Sequence, residues 1–198
     1  MTNSNQPELS GLTRTQVLVT IAISAIVFLA LTKLWLYFSS LSLLTARSEP
    51  WDYVIGMGLG IGITLMGFLV YWLWPGYRRS VDSYLNLVLP PLTWADLIWL
   101  GLLPGLSEEL FFRGTLLPTF GLNTEGVLLT AVCFGLLHFS KLENWPYVIW
   151  AIIVGTILGV STLWTDNLLV PVIAHIVTNG LSGGFWKWRT LGGSGIAR

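Results

Sequence analysis

Charge is scarce in this chain. Only 10% of its 198 residues are charged, and ten basic side chains balance ten acidic ones. No field of one sign therefore reaches toward nucleic acid or an acidic partner. Cysteine is all but missing: Cys133 stands alone in an apolar run, which excludes an internal disulfide or a cysteine-built metal cluster and leaves packing as its simplest use. Histidine occurs twice, as His138 and His175. No internal repeat is evident, so the usual mark of an inverted-repeat transporter is missing. Against these shortages stand 54% hydrophobic residues and eleven tryptophans, with a mean hydropathy of +0.71. That is the composition of a membrane protein.

A hydrocarbon core about 30 Å thick takes roughly 20 helical residues. Runs of that order are Val17 to Phe38, Tyr53 to Trp74, Trp94 to Leu117, Pro146 to Trp164 and Leu168 to Trp188, with a shorter one from Gly126 to Phe139. The first is too long for a cleaved signal's apolar region, roughly 7 to 15 residues, and reads as a retained span. Lipid-exposed backbone must bond to itself, and none of these runs alternates like a barrel strand, so they are helices. The expected fold is an all-α, multi-pass bundle of about six transmembrane helices in a cell or organellar membrane. It occupies one domain, 17–188, between a polar tail at 1–16 and a flexible Gly-rich tail at 189–198, neither with an assigned role.

Trp51, Trp72, Trp74, Trp94, Trp145, Trp164, Trp186 and Trp188 lie near run ends, where an indole prefers the membrane interface. Six spans put Arg14, Arg78, Arg79, Lys141, Lys187, Arg189 and Arg198 on the side of the N-terminus and Arg47 opposite, so the positive-inside rule places both termini in the cytoplasm. Gly56, Gly58, Gly60, Gly62, Gly155 and Gly159 have the spacing that lets membrane helices approach closely.

Ionisable residues inside spans are costly, at least roughly 2.5 to 3.5 kcal/mol each at mid-bilayer on insertion scales, and are expected to have partners and a use. Within the last four runs, Asp96 and Lys187 sit near run ends and can reach the interface. The others fall in three groups on three of the last four helices. Glu109 and Arg113 are four apart and meet on one helix face, whereas Glu108 is rotated about 100° away and stays free. Phe134 lies one turn before His138, and His175 shares a face with Asn179. Singly, each group fits a structural ion pair or a satisfied core histidine. Together, a free carboxylate, two imidazoles and an amide suggest a site within about 94–188.

The ordered set Glu108-Glu109-xxx-Arg113-Gly114, Phe134-xxx-His138 and His175-xxx-Asn179 resembles the CPBP family, which groups CAAX prenyl proteases with bacteriocin-processing and abortive-infection (ABI) enzymes. The resemblance implies a glutamic intramembrane endopeptidase without a metal or other cofactor. In it Glu108 and His138 activate the attacking water, while His175 and Asn179 hold the tetrahedral oxygen. Glu109, Arg113 and Phe134 are supports, Arg113 orienting Glu109 and Phe134 walling His138. The expected partners are the lipid bilayer and a membrane-associated peptide or protein, prenylated or leader-bearing; no nucleic acid is implied.

Other chemistries remain open at this point. Two histidines and a glutamate could hold zinc with one position left for water, although HExxH is absent. The stretch Gly180-Leu181-Ser182-Gly183 is similar to the serine motif of rhomboid proteases, but here both histidines precede the serine, and no GxGD aspartyl signature is present. The same Glu and His could form the relay of a proton or solute carrier, or the chain could be a non-catalytic membrane scaffold. At 1.5 Å per residue, Glu108 lies about 21 Å from Trp94 and His175 about 10 Å from Leu168, so from opposite faces they reach similar depth. His138, about 18 Å from Gly126, needs a helix that starts inside the bilayer or tilts.

Overall fold

The computed structural model describes residues 11–193, and among these the chain is helical with no strand. Helix α1 spans Arg14–Ser39 and α2 spans Pro50–Leu73. A third helix, α3, spans Pro75–Val88, and α4 covers Asp96–Phe111. The last passes through a π turn at Phe112–Leu116 into the short α5, Leu117–Phe120. Helix α6 is Thr124–Leu136, a 3₁₀ turn occupies Leu142–Asn144, and α7 and α8 are Trp145–Thr165 and Leu169–Gly193. Among the described residues four helices are long and apolar enough to cross a membrane: Arg14–Ser39, Pro50–Leu73, Leu142–Thr165 and Leu169–Thr190. The kinked α4–α5 rod and the short apolar α6 complete the expected set of about six. This is a multi-pass integral membrane protein, and its exposed apolar residues, such as Ile26, Leu65 and Leu129, form the lipid-facing surface.

Helix direction alternates as six crossings require. Arg14 pairs with Asp96 at 2.7 Å and Trp35 bonds Thr119, so α1 and α4 run parallel. Gly56 meets Ile173 and Gly60 meets Ala174 and Val177, so α2 and α8 do too. Glycine makes that contact possible. A Cβ on Gly60 would sit 2.6 Å from the Ala174 carbonyl oxygen, which is backbone and cannot swing away. Gly105 is equally closed against Ile176 of α8, and Gly155 and Gly159 face Ala131 and Val127 of α6. Gly58 and Gly62, expected to share this role, have nothing within 4 Å because they lie on the opposite side of α2.

Several boundaries differ from the sequence reading. Helix α1 starts at Arg14, because Thr13 and Gln16 form a capping box, so the polar tail 1–16 gives up its last residues to a helix and the rest lies mostly outside the described residues. At the other end α8 continues past Trp188. Arg189 reaches Asp82 at 3.0 Å and also bonds the Tyr71 hydroxyl, which ties the start of the presumed tail to α2 and α3, while 194–198 lie outside the described residues. Cys133 is exposed on α6 rather than packed inside. Helix α3 lies between two of the expected spans, where the sequence reading assigns no element. It is amphipathic, with Tyr77 and Ser80 buried and Arg78 and Arg79 exposed, and fits a helix lying along the membrane interface.

The ten residues between α1 and α2 have no regular structure but are pinned at the Arg47 end of the bundle. Leu44 donates to the Gly114 carbonyl, and the fully buried Asn167 accepts from the Arg47 amide and donates to the Arg47 carbonyl. Gly114 is small for the same reason: a Cβ there would meet Leu43 at 2.7 Å.

Candidate active site

The site begins at the π turn. Pro104 does not break α4, which runs through it to Phe111; the helix instead widens at Phe112–Leu116, where the Thr115 hydroxyl bonds the Leu110 carbonyl five residues back. Such widenings frequently occur at functional sites. The turn carries Arg113, which is wholly buried.

Arg113 gives one nitrogen to Glu109 at 2.7 Å and another to the Gly155 carbonyl at 2.8 Å, and its guanidinium lies 4.7 Å above the Phe134 ring. Glu109 is fully buried, and the same oxygen that receives Arg113 receives His175 Nδ1, also at 2.7 Å. Because a carboxylate can only accept, His175 donates from Nδ1, and its Nε2 is the nitrogen left for chemistry. One oxygen of Glu109 therefore joins α4, the π turn and α8. The i,i+4 pairing of Glu109 with Arg113 was expected. That His175 binds Glu109 was not, since the two are 66 residues apart.

His138 stands just past the end of α6. Its Nδ1 bonds the Phe134 carbonyl at 2.9 Å, and an amide carbonyl only accepts, so Nδ1 carries the proton and Nε2 is again the free atom. The Phe134 ring fills the space between the two histidines, 4.9 Å from His138 and 5.8 Å from His175, centroid to centroid. Phe134 thus positions His138 twice, through its ring and its carbonyl.

Glu108 points elsewhere. It is half-buried, and its charge acts on Arg113 and on the phenols of Tyr84 in α3 and Tyr147 in α7. The Tyr84 pKa is raised, first by desolvation and second by the Glu108 charge, so this phenol stays neutral around pH 7. Tyr147 in turn contacts His138, ring centroids 5.7 Å apart. Asn179 is half-buried one turn beyond His175 on α8. Tyr147, Tyr84 and Gly155 were not singled out for the site by the sequence. An aromatic in an apolar run gives no periodic signal of chemistry, and Gly155 was read as a packing residue only, without the carbonyl that holds Arg113.

The site has depth. Val127 meets Gly159, so antiparallel register sets the start of α6 about one turn below the end of α7. This sunken start brings His138 level with the first turn of α7. His138, Tyr147 and Tyr84 therefore lie toward the end that carries α3, while Glu109, Arg113 and His175 lie deeper. Among the described residues no three His, Cys, Asp or Glu side chains are grouped so as to ligate one metal ion.

Residues 90–181 match the family model of the type II CAAX prenyl endopeptidase Rce1-like proteins. Over that segment the chain is similar to the Rce1-like family. The matched segment contains Glu108, Glu109, Arg113, Phe134, His138, His175 and Asn179, and excludes α1, α2 and α3, and with α3 Tyr84. A relative among curated proteins, the uncharacterized protein YpbD of Bacillus subtilis (strain 168), is 35% identical over 126 residues. The aligned region covers 64% of each of the two chains. No solved structure matches the chain.

Proposed function

We propose that this protein is an intramembrane endopeptidase that hydrolyses a peptide bond in a membrane-associated substrate, prenylated or leader-bearing, with water activated by glutamate and histidine. The observation that carries the reading is the approach of two imidazoles to one phenylalanine ring, each with Nδ1 committed to a fixed acceptor and Nε2 left free. The match of residues 90–181 to a family model of prenyl endopeptidases agrees with it.

The reaction follows from that arrangement. Glu108 and Nε2 of His138 take a proton from water as its oxygen attacks the scissile carbonyl carbon. The carbonyl π pair moves onto oxygen, and that oxyanion accepts hydrogen bonds from the Asn179 amide and, with both ring nitrogens protonated, from Nε2–H of His175. When the C–N bond breaks, the abstracted proton passes to the leaving amine. Glu109 and Arg113 touch no reacting atom; they hold His175 in one orientation, as a carboxylate partner does for a catalytic imidazole.

The test is to incubate the purified protein in detergent with a peptide library that includes prenylated and leader-type sequences, and to compare it with Glu108→Gln by mass spectrometry. Products with the wild type and none with the variant are expected. Identical products from both would remove the mechanism.

A further inference from the structure

The mechanism leaves one residue beside the water-activating pair without a task. Tyr147 sits in the first turn of α7, half-buried, with its ring edge-to-face with His138 at 5.7 Å and an interplanar angle of 74°. It is clamped on two sides: Tyr84 stacks on it at 5.4 Å and Tyr77 at 6.5 Å, both within 27° of parallel. Ring orientation is therefore fixed, and so is the line along which the hydroxyl points. Tyr71, by contrast, shares its hydroxyl with Asp82 and Arg189 at the bundle's end. Among the described residues the Tyr147 hydroxyl has no such partner, yet it stands within electrostatic reach of the Glu108 carboxylate. A phenylalanine would fill the same slot with its ring alone, so the hydroxyl is the part of Tyr147 that the packing does not account for.

We infer that Tyr147 is a positioning residue for the Glu108–His138 pair, its ring fixing the His138 imidazole and its hydroxyl donating toward the Glu108 carboxylate or the water between them. The inference rests on the hydrolytic reading above. Tyr84 also lies near Glu108, but it is Tyr147 that is in ring contact with both Tyr84 and His138. Its place in the sequence, nine residues after His138 in a separate helix, matches none of the motif spacings.

The test uses the full chain in liposomes and a cleaved peptide from the library. Tyr147→Phe keeps the ring and is expected to lower kcat about tenfold, the order seen when a supporting hydrogen bond is lost, with KM and melting temperature unchanged. Tyr77→Phe, on the far side of the stack, is expected to match the wild type. A second probe, 3,5-difluorotyrosine at position 147, preserves shape and makes the phenol more acidic; a change in kcat at constant KM is expected. Wild-type kcat with either replacement at 147 overturns the assignment, as does a rise in KM at constant kcat, which would make Tyr147 a substrate contact. Glu108→Gln, run in parallel, separates the two claims: if it still cleaves, the hydrolytic reading is what has failed.

Discussion

Arg113 does more than neutralise a carboxylate. Its three contacts, to Glu109, to the Gly155 carbonyl and to the Phe134 ring, connect α4, α7 and α6 from a position with no exposed surface. Removing one member of a buried pair leaves the other charge uncompensated, at a cost of about 3–5 kcal/mol. Arg113→Ala is therefore expected to lower the unfolding transition in detergent by that amount. Arg113→Lys should recover only part of it, because an ammonium cannot reproduce the two-nitrogen geometry. A melt unchanged by Arg113→Ala would refute the structural role. Glu108→Gln, half-buried and outside that pair, should melt like the wild type while losing cleavage. At this scale the sequence reveals what helical spacing can reveal. Glu109 and Arg113 are one turn apart, so their pairing is legible. The bond from His175 to Glu109 joins distant helices and is set by packing, which no single-chain periodicity encodes.

Spans declare themselves by length, and five of the runs read from hydropathy became helices at nearly the same residues. Helix α3 is hidden from that criterion: its polar face dilutes its hydropathy, and it falls between the runs that hydropathy marks. The π turn is hidden too, since a widening of one residue leaves no mark on composition. Close helix approach is half-legible. The four-residue glycine spacing marks the packed face of α2, but only coordinates tell Gly56 and Gly60, which touch α8, from Gly58 and Gly62, which do not. Gly60→Ala is accordingly expected to destabilise the protein, because its Cβ would press on a backbone oxygen, and overpacking typically costs about 1–3 kcal/mol. Gly58→Ala should be neutral or slightly stabilising, from its gain in helix propensity. Thermal melts of the two variants side by side check this, and equal shifts would contradict the assigned faces.

Outside the site, the ion pairs of the bundle gather at its two ends. Arg14 with Asp96, Arg189 with Asp82, and Lys187 with the Leu92 carbonyl gather at the end that carries α3, while Arg47 pairs with Asp166 at the other. By the positive-inside rule the α3 end is expected to face the cytoplasm. In a Cys133→Ser background, Ser83→Cys is then expected to react with a membrane-impermeant maleimide from the cytoplasmic side and Ser48→Cys from the opposite side; reversed labelling would invert the topology. His138, Tyr147 and Tyr84 lie nearer the α3 end, so access from there suits the proposed chemistry. The central claim is that Glu108 and His138 activate water for peptide hydrolysis inside this bundle without a metal. It is tested most directly by following cleavage of a membrane-anchored peptide in liposomes with the wild type, Glu108→Gln and His138→Ala, each with and without a strong chelator. The account predicts product from the wild type at the same rate with chelator, and none from either variant. Wild-type turnover by Glu108→Gln, or loss of wild-type activity on chelation, would contradict it.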